Sequence, residues 1–294
     1  MIKRTLFFAN KCSLSTKLEQ LKIITETRET TIPIEDIGFV VIEHQECYLS
    51  VPLLNKLTEN NVAVVFCNHK HLPKSMLLNL DSHHVQQELF TCQITATEPL
   101  KKQLWQQVIK QKITNQAELL NAIGIKNDPL KYYASKVLSG DSENREAVAA
   151  AFYWKHIFDF DFKRERFGDF PNSFLNYGYA ILRAAVARAL SGSGLLNTLG
   201  IHHHNKYNAF CLADDIMEPY RPVVDAKVLE IIKNNDTQEL TTEIKMELLK
   251  ILTETVYFDG KKSPLMVALS TTTSSLQQCY MGKIKKISFP KLWI

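Results

Sequence analysis

Up to about residue 74 the apolar positions fall in short, β-branched runs: RTLFFA, LKIIT, TTIPI, IGFVVIE, CYLSV and VAVVF. Polar breaks such as Glu26 to Glu29 and Asn60-Asn61 separate them at strand-like intervals, so each run predicts a strand. One amphipathic piece, PLLNKLTEN, predicts a short helix lying against the sheet. From about residue 96 the period lengthens to that of helices. Asp128-Pro129 reads as an N-cap with proline in the first turn, and Gly140 closes that segment. Asp141 or Ser142 can cap the next helix, ENREAVAAAFYWKHIF. Pro171-Asn172-Ser173 opens FLNYGYAILRAAVARAL, which Gly192 and Gly194 end. Val224, Val228, Ile231 and Ile232 mark another stripe, and TQELTTEIKMELLKILTETV reads as one long amphipathic helix. The pattern predicts an α+β chain: a small N-terminal β-sheet or sandwich domain over 1–76, a linker over 77–95, and a larger all-α domain over 96–294.

Composition narrows the class. Hydrophobic residues make up 45% of the 294 and charged residues 22%, a globular profile with ample material for a core. A net charge of +4 permits a polyanionic partner without requiring one. The six cysteines stand singly, which argues for reduced thiols over a disulfide framework or a zinc knot. No stretch approaches the ~20 apolar residues of a membrane span, and the apolar run in MIKRTLFFANKCSLS is too short for a signal peptide. A cytoplasmic, soluble protein is expected.

The stretch LGIHHHNKYNAFCLADDIMEPYRPVVD, residues 199–225, holds the candidate chemistry. Asp214, Asp215 and Glu218 stand at i, i+1 and i+4, so three carboxylates share one helical turn. The bland reading is a solvated face. Phe210, Leu212, Ile216 and Met217 indicate burial instead, and buried carboxylates need partners. One imidazole from the preceding histidines, with two or more carboxylates, suits Mg²⁺ or Mn²⁺ better than a structural zinc site, which would want cysteines or HExxH. A further ligand can come from the first turn of ENREAVAAAFYW, where spacing alone does not separate Glu146 from Glu143. An acid at that place is also simply favourable for a helix. Lys155, Arg164, Arg166, Arg183 and Arg188 interleave with Tyr177 and Tyr179, and Lys206 with Tyr207 follows the histidines. Such a mixture suits phosphates and unpaired bases, although any helical protein scatters arginines. The C-terminal MGKIKKISFPKLWI, with Lys283, Lys285, Lys286 and Lys291 among Phe289, Trp293 and Ile294, is either a docking tail or a last strand.

The segments NREAVAAAFYW, FLNYGYAILRAAVARAL and LGIHHHNKYNAFCLADDIMEPYRPVVD, in this order and at these separations, closely resemble the CRISPR-associated spacer-acquisition integrases, "Cas one". MEPYRP resembles the type II form, II-C in particular. The specific motifs span roughly 140–225, and a small β domain before a larger helical one matches the family's build. The resemblance implies a divalent cation, Mg²⁺ or Mn²⁺, held by Glu146, His203 and Glu218, with Asp215 and His204 as further candidates. His204 stands where related sequences often carry arginine. It implies an endonuclease and integrase that joins the 3′-hydroxyl ends of prespacer DNA to a CRISPR repeat by transesterification. Tyr177, Arg183, Arg188 and Lys206 are then the candidate DNA contacts. It also implies a homodimer formed through the β domains, a small second adaptation subunit ("Cas two"), and in type II systems the effector nuclease and an accessory ring-shaped DNA-binding subunit. Two other readings compete: a non-catalytic DNA-binding scaffold of the same fold, and an unrelated metal-dependent phosphoesterase.

Overall fold

A computed structural model describes residues 3–79, 81–166, 168–258 and 260–292. The chain divides into two compact units, 1–84 and 85–294. Within the first, β1 (Arg4–Phe8), β5 (Ile37–Ile42) and β7 (Ala63–Cys67) run parallel, and β8 (Pro73–Leu77) closes that sheet antiparallel to β7. A second sheet pairs β4 (Glu29–Pro33), β3 (Gln20–Ile24) and β2 (Cys12–Lys17) antiparallel, with β6 (Cys47–Leu49) parallel to β2. Helix α1 (Val51–Glu59) starts where Ser50 accepts the Leu53 amide, and it buries Leu53 and Leu57. Those leucines join Leu14, Leu21, Ile37, Val40 and Val64 in one apolar core. All six residues of IGFVVI are buried, as expected of a strand covered on both faces. The sandwich expectation therefore holds, with two strands added. CSLSTK is β2 and PKSML is β8, and serine, lysine and proline had masked both.

The second unit is helical apart from one hairpin: α2 (Gln86–Ile94), α3 (Glu98–Ala122), α4 (Asp128–Ser135), α5 (Arg145–His156), α6 (Asn172–Gly192), α7 (Cys211–Met217), α8 (Arg221–Asn234), α9 (Thr242–Leu249), the strands β9 (Thr255–Phe258) and β10 (Lys261–Pro264), and α10 (Leu265–Tyr280). Part of the stretch read as linker is thus helix α2. Its Gln93 is buried, donates to the Leu196 and Leu199 carbonyls, and accepts from the Leu196 amide. Helix α6 packs against α7, α8, α9 and α10, and its run of alanine, leucine and valine suits a helix covered on nearly every side. Gly178 sits where α6 meets α8, since a Cβ there would collide with Val224.

The long amphipathic run breaks up in the structure. Thr241 caps α9, a 3₁₀ turn covers Lys250–Thr253, and β9 follows. Helical spacing persisted through TETV, but β-branched Thr255 and Val256 pair with the Lys261–Pro264 strand. The C-terminal segment folds back on its own unit. Lys291 exchanges both backbone hydrogen bonds with Tyr257 at 2.8 Å, and Gln107 of α3 binds the Lys285 carbonyl and the Ile287 amide. The described part is thus an intramolecular strap ending in a single β-bridge; Trp293 and Ile294 lie outside the described residues. No helix among the described residues is long and apolar enough to cross a membrane.

Candidate active site

The three histidines have three different surroundings. His202 stacks on Trp105 of α3, with centroids 4.3 Å apart and planes 5° from parallel. His203 meets the same indole edge-on at 5.8 Å. Its Nδ1 lies 2.5 Å from Asp215 Oδ1. A buried carboxylate only accepts, so Nδ1 carries the proton and Nε2 presents a lone pair. His204 is exposed and lines a cavity of about 710 Å³ with Lys101, Asn205 and Tyr207.

Asp215 is fully buried and accepts from the backbone amides of Ile201, His202 and His203 as well as from the imidazole. It therefore organises the histidine loop from behind. Both of its oxygens face N–H donors. Gly200 permits the arrangement: a Cβ there would collide with the His203 carbonyl oxygen and approach Asp215 Oδ2. The other two carboxylates of the turn also find separate partners. Asp214 accepts from Arg183 Nε at 2.6 Å and from Asn208 at 2.7 Å. Glu218 opens a short 3₁₀ turn beyond α7, where Pro219 ends the helix, and faces Arg221 Nε at 2.9 Å and Lys112 Nζ at 2.6 Å.

Glu146 comes from another helix. Asn144, not Asp141 or Ser142, is the N-cap of α5 and makes no side-chain cap bond; Asp141 reaches the helix start from upstream, accepting the Arg145 amide at 2.9 Å and the Glu146 amide at 3.0 Å. Lys112 Nζ lies 2.5 Å from Glu146 Oε1. One ammonium thus bridges Glu146 and Glu218, which stand 72 residues apart in sequence. Exposed Glu143 instead pairs with half-buried Arg145 and takes no part. Burial alone would raise the Glu218 carboxyl, but the Arg221 and Lys112 charges hold it below its ordinary range. Burial alone would lower the Lys112 ammonium, and the Glu218 and Glu146 charges hold it above. Among the described residues no three acidic, histidine or cysteine side chains converge as a ready-made metal cage; a lysine stands between the two glutamates instead.

Lys112, Trp105 and Arg221 were not singled out by the sequence pattern. Lys112 carried one signal, a charge between Ile109 and Ile113 on the buried face of α3. The DNA-contact candidates divide. Tyr177 is 1% exposed and Arg188 8%, so both side chains are buried within the helical unit. Alternating polarity along α6 hid that the helix is covered on most sides. Arg183 keeps a half-exposed side chain beside Asp214. Lys206 is exposed, with its ammonium 4.9 Å from the Tyr207 ring.

Behind Glu218 lies a buried network. Tyr153 of α5 donates to Asp225 at 2.7 Å and Tyr179 of α6 at 2.5 Å, while the Arg221 guanidinium lies 4.6 Å from the Tyr179 ring centre. Asp225 thereby ties the helix bearing Glu146 to the helix that follows Glu218. Burial lifts its carboxyl to about 6, against the hydrogen bonds from Tyr179 and Tyr153. The folded protein holds that proton more tightly than the unfolded chain does. The stabilising contribution is therefore complete at low pH and is lost as pH rises from about 4 towards 6, by up to ~3 kcal/mol. Asp225→Asn, which cannot ionise, is expected to gain on the wild type in Tm between about pH 4 and pH 7; melts across that range check this, and a constant difference would contradict it.

The chain thus carries buried acids and one oriented imidazole on a helical unit that follows a β-sandwich unit in sequence. The sequence matches the family described as CRISPR associated protein Cas1 over residues 6–256. It is 37% identical over 298 residues to a CRISPR-associated endonuclease Cas1 of Neisseria meningitidis serogroup C (strain 8013), covering 99% of this chain and 97% of that one. The chain belongs to the Cas1 family. The fold is shared with a casposase bound to integration product, at a TM-score of 0.78 and 21% identity over 98% of this chain and 93% of that one. It is also shared with a chain of a Cas6-RT-Cas1–Cas2 complex, at a TM-score of 0.73 and 18% identity over 97% of this chain and 35% of that one.

Proposed function

We propose that this protein is the endonuclease and integrase of CRISPR adaptation, joining the 3′-hydroxyl ends of prespacer DNA to a CRISPR repeat at a site built from Glu146, His203 and Glu218. The observation that carries the reading is the approach of Glu146 and Glu218, from separate helices, to one cationic point. When protonated, His203 lowers the Glu218 carboxyl, so the two lie within electrostatic reach of each other. The donor set fits Mg²⁺ or Mn²⁺: two carboxylates and one imidazole whose Nδ1 is already committed. Glu218 Oε2 is buried against the Lys112 ammonium at 2.6 Å, a cation contact that a bound metal ion would replace.

Glu146 and Glu218 would hold the ion through oxygen and His203 through Nε2. Bound there, such an ion supplies Lewis-acid polarisation of a phosphodiester and charge stabilisation on its oxygens. The chain's own residues do the rest. Asp215 fixes the imidazole's tautomer and direction, Trp105 walls the histidine loop, and Arg221 holds the buried Glu218 ionised. In the reaction the 3′-oxygen forms a bond to phosphorus as the repeat's own 3′-oxygen leaves, one ester exchanged for another. With water in place of the 3′-hydroxyl, the same site cuts DNA. The partners proposed are prespacer and repeat DNA, a second copy through the β unit, the Cas2-type subunit, and the effector nuclease and accessory DNA-binding subunit of type II systems. The solved relatives, one bound to integration product and one in a Cas1–Cas2 complex, support the first and third of these.

Incubation with the small partner, a labelled duplex bearing free 3′-hydroxyls and a plasmid carrying a repeat tests the reading. Joining in Mn²⁺ that vanishes in chelator and in His203→Ala is expected. DNA binding without joining in either condition would favour the scaffold. The hydrogen bond to Asp215 raises the His203 pKa above its ordinary 6.5 despite burial, with the Asp215 charge adding to it. A protonated imidazole has no lone pair, so joining at limiting Mn²⁺ should rise with pH through a midpoint above 6.5. More Mn²⁺ should move that midpoint down, because metal and proton compete for Nε2. Rate–pH profiles at two Mn²⁺ concentrations check this, and superimposable profiles would contradict it.

A further inference from the structure

We propose that Lys112 is the site's resident counter-cation, its ammonium holding the place between Glu146 and Glu218 that a divalent ion takes, so that the ion binds by displacing it. This rests on the ligand reading above and adds a competitor to it. Lys112 is a positioning residue of the metal-free site.

The placement is specific. The lysine stem rises from the buried face of α3 between Ile109 and Ile113, and the side chain is only 11% exposed. A buried ammonium costs desolvation that only close anions offset, and the anions in contact with it are the two proposed ligands. Its contact with Glu146 is a hydrogen bond at 2.5 Å. Its contact with Glu218, at 2.6 Å, is a close ion pair, and its electrostatic part is a role any cation can fill. The charges balance without metal: Glu146 and Glu218 carry two negative charges, and Lys112 and Arg221 two positive. A divalent ion added to that set would sit against an ammonium at contact distance, where like charges repel strongly. The ammonium must withdraw, and the ion's apparent affinity is reduced by the contacts it breaks. In return the protein keeps both acids in place when no ion is present.

The test titrates Mn²⁺ into wild type, Lys112→Met and Glu146→Gln, following the free aquo-ion by electron paramagnetic resonance, with melting curves in chelator alongside. Lys112→Met is expected to bind Mn²⁺ at least about tenfold tighter than wild type and to melt lower in chelator, the gap closing as Mn²⁺ is added. Equal or weaker affinity in Lys112→Met, with binding still lost in Glu146→Gln, would overturn the counter-cation role and leave the ligand assignment standing. Absence of Mn²⁺ binding in both wild type and Lys112→Met would overturn the ligand assignment itself. Should Lys112→Met not fold, wild type answers alone. Acetylation of Lys112 by an N-hydroxysuccinimide ester, read by peptide mass spectrometry, should rise severalfold on saturation with Mg²⁺, and an unchanged rate would overturn the proposal.

Discussion

Glu218→Gln is expected to lower strand joining by on the order of a thousandfold, the consequence of several kcal/mol of lost charge stabilisation at about 1.4 kcal/mol per tenfold. The substitution keeps the volume and removes the charge. It leaves Lys112 and Arg221 as buried cations with one anion fewer between them, since Glu218 faces both. Stability should also fall, by about 3 kcal/mol. The two effects separate by measurement. At a temperature well below both melting points the variant is folded, so a joining defect there reports on the site, and Mn²⁺ should no longer raise its Tm. A folded variant that joins DNA at the wild-type rate would show that Glu218 is no ligand.

Asp215→Ala should give the largest loss of stability of any single carboxylate here. One buried side chain gathers three successive amides of the histidine loop and the His203 ring. Stranded donors cost about 1–3 kcal/mol each when buried, and part of the loop can turn to water. A net loss of about 4 kcal/mol is expected, or roughly 10 °C in Tm for a unit of this size. Asp215→Asn keeps an acceptor for the loop but cannot orient the imidazole by charge, so its Tm should fall less while its Mn²⁺ affinity falls by about 10–100-fold. Paired melts and Mn²⁺ titrations of the two variants check this. Equal Tm for wild type and Asp215→Ala would mean the loop is held by other contacts.

The fold was legible where period and composition agreed. IGFVVI and VAVVF are strands, PLLNKLTEN is a helix, and the alanine-rich FLNYGYAILRAAVARAL is the long α6. It was illegible where a local signal was weak or outvoted. CSLSTK alternates too politely to stand out as a strand, and TETV continued a helical stripe until β-pairing claimed it. The site was half legible. Three acids on one turn beside apolar neighbours announced buried carboxylates, but not that each would find a different cation or amide. That depended on α3, which is distant in sequence and brings Lys112 to Glu146 and Glu218 and Trp105 to the histidines. Spacing alone could not choose Glu146 over Glu143; the choice came from family resemblance, and the structure adds that Glu146 faces inward to Lys112 while Glu143 pairs outward with Arg145. The burial of Tyr177 and Arg188 was not legible, because polar residues on a helix read as surface when the helix is in fact enclosed.

The central claim is that Glu146, His203 and Glu218 hold one divalent ion. Anomalous diffraction at the manganese edge, from crystals soaked in Mn²⁺, measures it most directly. The account predicts a single strong peak among the Glu146 and Glu218 carboxylates and His203 Nε2, with Lys112 Nζ displaced. A peak elsewhere, or an undisturbed lysine bridge at saturating Mn²⁺, would contradict it.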